Sequence, residues 1–430
     1  MPLHTLLSRT LRLVFCLVVA APQAGFSQTL PKSSSGNPDR PAPAGPFRLW
    51  AGDTVPNAED LPVLAGTTFS VIKPYRFGVD GHTFHHGAAL AWHKGRLYAS
   101  YGISDSLEGE NLAGEKAVYQ VSDDGGLTWS RLSVIEAGSR EGATGISHGV
   151  LLSHQGELWA FQGAFGERLR VDQHTRVYAL DESKGTWIAR GRVLDGFWPT
   201  QGPLRMADGN WIMAGVREGD GNPAAVAISH GDDFTKWDLV VVPKAPGTMW
   251  GESTVLLFGN EVLNIARYAV ESQTVALASI SKDYGRTWTP SVASNLPMAA
   301  SKPYSGTLSS GHSYLIGTTT GDSGNERYPL TIALAQPGSR EFSRIYVIRH
   351  AEFPEGPGES HPRALLAYPY AVEHEGRLYV GYSNKGGEVG RARTPDNKEI
   401  PNSNSIELAA IPLDSLLAEP TKARGKIEKD

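Results

Sequence analysis

Ser122-Asp123-Asp124-Gly125-Gly126-Leu127-Thr128-Trp129 and Ser281-Lys282-Asp283-Tyr284-Gly285-Arg286-Thr287-Trp288 agree at every fixed position of the pattern S-x-D-x-G-x-T-W. Each octad is a turn with a built-in lock. An aspartate can accept hydrogen bonds from turn N–H groups, the glycine takes a backbone conformation other residues resist, and the tryptophan packs between sheets. Asp124 and Asp283 are therefore read as fold-stabilising residues. Weaker echoes lie at 180–187, 229–237 and 335–342, and the closing aromatics Trp129, Trp187, Trp237, Trp288 and Phe342 are 58, 50, 51 and 54 residues apart. A period of that length marks a repeat architecture.

Each repeat has the same punctuation around its octad. Apolar segments turning on glycine begin at Ala89, Gly149, Pro203, Thr254, Thr307 and Ala371, and read as hairpins. A third strand leads into the octad and a fourth leaves it. Four antiparallel strands repeated six times, with no amphipathic helix of useful length, predict an all-β β-propeller. Six blades are expected, with a seventh partial blade from residues 48–75 as the alternative. Ser405–Leu413 supplies a third strand without a fourth, so a strand near Phe69–Tyr75 is expected to complete that sheet and close the ring by joining the N- and C-terminal strands.

Composition agrees. The chain has 430 residues, of which Gly and Pro fill 76 (48 + 28), too many for a helical bundle, while its aromatic content of 9% argues against a disordered chain. Residues 1–27 carry Arg9 and Arg12, then the apolar run 13–21, then small residues, the order of a secretory signal peptide. The chain is accordingly expected to be secreted or periplasmic, with no membrane attachment after cleavage. The single cysteine, Cys16, lies in that segment. The mature chain therefore has no cysteine for a disulfide, a nucleophile or a zinc site. Loss of the two arginines moves the formal charge from −5 to −7, a poor match to nucleic acid. Residues 28–47 read as a Pro/Ser-rich leader, 48–415 as one propeller domain and 416–430 as a charged tail. A monomer is expected.

The octads match the Asp box, and the body of the chain resembles the sialidase-superfamily propellers (BNR repeats). The resemblance implies a set of site residues. Glu252, at the start of a blade in WGEST, Arg267 fifteen residues on, Arg327 before the next third strand, and Tyr368 at the start of the last hairpin stand where the family carries its glutamate, two arginines and nucleophilic tyrosine. The chemistry is coherent. A neutral tyrosine hydroxyl approaches an anomeric carbon that bears a carboxylate with less repulsion than a carboxylate nucleophile would. Glu252 would take the phenolic proton, and Arg267 and Arg327 would clamp the substrate carboxylate. The resemblance also implies an acid on the loop after the first hairpin, where Asp105 is the candidate and Glu108 and Glu110 compete. Arg205, at the start of another hairpin, is a further substrate-binding candidate.

One departure alters the expectation. Where sialidases carry the first arginine of a three-arginine clamp, this chain reads Phe84-His85-His86-Gly87. A histidine pair there resembles uronate-active propellers, ulvan-type lyases and rhamnose-glucuronate enzymes. Elimination next to a uronate carboxylate needs that carboxylate neutralised by arginine or histidine and a His or Tyr to remove the C5 proton, and His85 or His86, with Tyr368 and an arginine, would supply these roles. The expected function is hydrolysis of a linkage to an acidic sugar. The alternatives are uronate elimination and a non-catalytic glycan-binding propeller. The expected partner is an acidic oligosaccharide or polysaccharide. No cofactor is called for, and a structural calcium ion would need no sequence motif.

Overall fold

The computed structural model describes residues 47–418 except 83, 106–110, 220, 244–249, 269–273 and 387–403. The signal-like segment, most of the leader, most of the charged tail, Glu108 and Glu110 lie outside the described residues. All described residues belong to one compact unit, Pro38–Asp430.

Six antiparallel sheets follow one another along the chain and form a six-bladed propeller. Blade I comprises Phe84–His93, Arg96–Ser104, Lys116–Ser122 and Ser133–Ala137, and blade II Gly145–His154, Glu157–Phe165, His174–Asp181 and Thr186–Asp195. Blade III has a split first strand, Phe197–Pro199 and Leu204–Arg205, both paired with Trp211–Arg217 and followed by Ala224–His230 and Asp233–Val241. Blade IV runs from Ser253–Phe258 to Val292–Pro297, and blade V from Tyr304–Thr307 to Phe342–Arg349. The split in blade III lets Gln201 reach across. Its side chain donates to the carbonyls of Val255 and Ser305 at 3.0 and 2.8 Å and accepts from the Val255 N–H at 2.6 Å.

Blade VI closes the ring. Its strands Leu365–His374, Arg377–Lys385 and Ser405–Pro412 are completed by Thr68–Lys73, paired antiparallel to the third strand with Phe69 opposite Ala409. Residues 48–75 therefore make no seventh blade. Their last part is the outer strand of blade VI, and the earlier part is a strap. Phe47, Trp50 and Val63 form parallel bridges to Ser294, Phe342 and Val347, on the fourth strands of blades IV and V. Leu49, Trp50, Leu61 and Leu64 of this strap are buried.

Apolar side chains pack between every neighbouring pair of blades. Separate clusters join I with II and III, III with IV, IV with V, V with VI, and VI with I. The alternation of strand residues thus puts both faces of each sheet in contact with a neighbour, and burial of that surface is the main driving force. At the closing seam, Arg349 of blade V and Glu407 of blade VI are both fully buried, 3.6 Å apart. Glu407 Oε1 accepts from Ser405 Oγ and Asn384 Nδ2 at 2.8 Å each and from the Glu359 N–H at 2.9 Å.

The octads act as locks. Asp124 accepts from the N–H and hydroxyl of Thr128 at 2.9 and 2.6 Å and from Ser122 at 2.8 Å, while Trp129 Nε1 donates to the Gly126 carbonyl at 3.1 Å. Asp283 repeats the pattern with Thr287 and Ser281. These hydrogen bonds hold the Asp124 carboxyl down at about 2. Both octads follow the third strand of a blade, so they sit at the end of the sheet away from the loops that open on the axis.

Candidate active site

The six blades meet around one space. There a cavity of about 320 Å³ draws its lining from all six blades, including His86, His148, Trp198, Glu252, Arg267, Arg327 and Tyr368. Tyr368 sits in a bulge. Ala367 pairs with Ser383 and Tyr370 with Gly381, so Tyr368 and Pro369 together face one residue, and Tyr368 adopts a φ of 54°. Such a bulge re-aims a side chain, and a left-handed tyrosine is costly unless its surroundings hold it. Lys302 does so from behind: its fully buried amine nitrogen donates to the Pro369 carbonyl at 2.6 Å and lies 3.7 Å from the Tyr370 ring centroid.

Glu252 and Arg267 face each other because the Ser253–Phe258 and Glu261–Ala266 strands form a hairpin, whose pairing extends to an Arg267 N–H bond to the Glu252 carbonyl at 2.9 Å. Their fifteen-residue separation is the length of that hairpin. Glu252 Oε1 accepts from the Tyr368 hydroxyl at 2.5 Å, and Oε2 from Arg267 Nη1 at 2.5 Å. Arg327 enters from blade V, donating to the Ala300 carbonyl at 3.0 Å.

Protonation follows from these contacts. Burial opposes ionisation of Glu252, but the charge of Arg267, the hydrogen bonds from Tyr368 and Arg267, and the charge of Arg327 outweigh it and hold the carboxyl below its ordinary value. Burial, then the charge of Glu252, pushes the Tyr368 hydroxyl up. The resting pair is thus a carboxylate facing a protonated phenol. Burial, followed by competition with His148 for a proton and the charges of Arg327 and Arg267, drives His86 well below its usual range, and burial drives His148 down to about 3. Both imidazoles are neutral at pH 7.

The structure therefore gathers Tyr368, Glu252, Arg267, Arg327 and His86 around one space. His86 lies against the nucleophile candidate, with ring centroids 3.8 Å apart and the planes tilted at 56°. His85 points to the other side of the strand, as alternation requires. It is fully buried, binds the Asn404 carbonyl through Nδ1 at 2.5 Å and does not line the cavity. Asp105 also lies off the cavity lining, held by Arg140 at 3.1 Å and Lys116 at 3.6 Å. Arg205 is likewise absent from the lining, and pairs with Asp232 at 2.8 Å on an exposed edge. Among the described residues, no group of three or more His, Cys, Asp or Glu side chains is placed to hold a metal ion.

Other lining residues escaped the sequence reading. His148 and Trp198 pack with ring centroids 5.1 Å apart, and Arg170 lies 3.8 Å above the Trp250 ring. The only sequence signal for His148 was its place near the start of a hairpin strand, where His86 also stands.

A six-bladed ring with Asp-box turns and an axial Tyr–Glu–Arg cluster defines a BNR propeller of the sialidase superfamily. Residues 120–380 match the family model of the BNR repeat-like domain, and the chain belongs to that family. No curated protein matches the chain. Among solved structures, a Dyadobacter fermentans protein of unknown function is similar at 13% identity and a TM-score of 0.57, covering 81% of this chain and 100% of its own. A Hadza microbial sialidase is similar at 13% identity and a TM-score of 0.58, covering 81% and 69%. Trypanosoma rangeli sialidase bound to the inhibitor DANA gives 12% identity and a TM-score of 0.58, covering 81% of this chain and 60% of that one. These likenesses are of fold.

Proposed function

We propose that the protein hydrolyses a glycosidic linkage to an acidic sugar, with Tyr368 as nucleophile and Glu252 as its base. The observation that carries the reading is the chain of two 2.5 Å hydrogen bonds from Tyr368 through Glu252 to Arg267 at the wall of the axial cavity. A carboxylate already bonded to a phenol takes its proton as the oxygen attacks. Arg267 and Arg327 supply the positive charge that an acidic sugar requires. A scaffold that only bound glycans would have no use for a strained, clamped tyrosine beside a base.

A second reading, elimination at a uronate, is favoured by one observation: neutral His86 lies against Tyr368. The test offers the purified protein an aryl sialoside and an aryl glucuronide, and separately uronate polysaccharides while the ultraviolet absorbance of an unsaturated uronate is followed. Aryl release abolished in Tyr368→Phe supports hydrolysis; absorbance growth abolished in His86→Ala selects elimination; turnover of nothing on the panel leaves a glycan-binding propeller. Export of the chain belongs to the same proposal, and the amino terminus of the mature protein, read by mass spectrometry, tests it.

A further inference from the structure

Behind His148 lies a buried chain of polar side chains ending in a carboxylate. Ser147 Oγ donates to Glu115 Oε1, whose other oxygen accepts the Asn111 N–H at 2.9 Å. Ser147 and Glu115 are fully buried. With its proton committed to Glu115, Ser147 Oγ offers a lone pair to His148 Nδ1, 3.2 Å away. The proton of the neutral imidazole is therefore on Nδ1, and the lone pair is on Nε2, at the ring edge away from Ser147. His148 lines the cavity, with its centroid 4.9 Å from His86 and 5.7 Å from Tyr368.

The surrounding backbone is cut to fit this chain. Ser147 and His148 sit in a bulge, since Ile146 pairs with Ala164 and Gly149 with Gln162. A Cβ at Gly102 would stand 2.4 Å from Ser147 Oγ and 3.0 Å from Glu115 Oε1, and one at Gly87 would stand 2.6 Å from the His148 ring. Meanwhile Glu252 is the only carboxylate among the described residues that line the cavity, and it is engaged with Tyr368 and Arg267.

We propose that His148, oriented by Ser147 and Glu115, is the general base that activates water in the second half of hydrolysis. The inference rests on the hydrolytic reading above. Water oxygen bonds to the anomeric carbon, and the bond from that carbon to the Tyr368 oxygen breaks with its electron pair on the oxygen. One water proton passes to His148 Nε2 and then to bulk solvent; the other stays on the product hydroxyl. The proton that Glu252 took from Tyr368 in the first half returns to the phenolate. His148 is a catalytic residue in this scheme, and Ser147 and Glu115 are positioning residues.

Aryl glycosides separate the two halves, because an aryl group departs without help from an acid. With whichever aryl glycoside the wild type turns over, His148→Gln should lower kcat about a hundred-fold or more, as expected for loss of a general base. It should lower KM as well, show a burst of aryl release, and leave a glycosyl adduct on Tyr368 detectable by mass spectrometry. Azide, which needs no deprotonation, should restore at least tenfold of the rate. Gly102→Ala and Ser147→Ala should lower kcat with a smaller burst and the same azide response. Normal kcat in His148→Gln, or a slow variant with neither burst nor azide rescue, overturns the inference and leaves the hydrolytic reading intact. Turnover of no acidic glycoside by the wild type overturns both. A substrate-free arm checks the orientation: diethyl pyrocarbonate should acylate His148 in the wild type and several-fold more slowly in Ser147→Ala, with His85 untouched. An inert His148 in folded wild type overturns the inference.

Discussion

Tyr368 and Glu252, 116 residues apart in sequence, are joined by a 2.5 Å hydrogen bond that links the first strand of blade VI to the entry of blade IV. Blades IV and VI are not neighbours in the ring, so this bond spans the axis, and both partners are held from behind: Glu252 by Arg267, and the Tyr368 bulge by Lys302. Removing either end should be felt mainly in the chemical step. Tyr368→Phe is expected to reduce kcat by about 10²-fold or more with KM changed little, and Glu252→Gln by a similar factor, measured with the substrate that the wild type turns over.

The charge state of Glu252 gives a pH signature. Its carboxyl is held below its ordinary value in the folded chain, so its ionised form contributes stability that is present above the unfolded value and lost as pH falls through the folded one. The melting-temperature difference between wild type and Glu252→Gln should therefore be constant near neutrality and shrink once pH drops below about 4.3, the ordinary glutamate value. A difference that widened in acid would contradict this ionisation.

Lys302→Met keeps the volume of the buried side chain and removes the donor to the Pro369 carbonyl. The bulge should relax and Tyr368 should drift from Glu252. Kinetics should show a fall in kcat of about tenfold or more, and a crystal structure of the variant should show a lengthened Tyr368–Glu252 separation.

The seam offers a test of stability without chemistry. Glu407→Ala leaves buried Arg349 without its carboxylate and should cost about 3–5 kcal/mol in denaturant unfolding. Trp50→Ala, in the strap, should cost about 3–5 kcal/mol by leaving a void between the strap and blade V. Activity measured well below the melting transition should persist in the Trp50 variant, since nothing of the strap lines the cavity.

How much was legible in the sequence depended on how local the signal was. The octads are closed within eight residues, so Asp124 and Asp283 could be read as locks without any tertiary information. Glu252 and Arg267 were legible because their spacing is the length of one hairpin. His85 and His86 could not be told apart, since neighbours on a strand point to opposite faces and only the tertiary packing of blade I decides which meets the cavity. Asp105 stood on the expected loop, but its partners Arg140 and Lys116 come from a later turn and the next strand. His148 was invisible for the same reason: its value depends on Ser147 beside it, Glu115 thirty-odd residues earlier, and two glycines that leave room for them.

The closing blade ties function to completion of the chain. Its outer strand, Thr68–Lys73, is made before every other described strand, and its third strand, Ser405–Pro412, after every other described strand. While the chain is still growing, five sheets can form, yet Thr68–Lys73 has nothing to pair with and Tyr368 has no finished sheet to hold it. The cavity takes residues from both sides of this seam, so a truncated product lacking the final strand would carry nearly every site residue and still lack a site. Under the proposed function, turnover would thus also report that synthesis reached Ser405–Pro412.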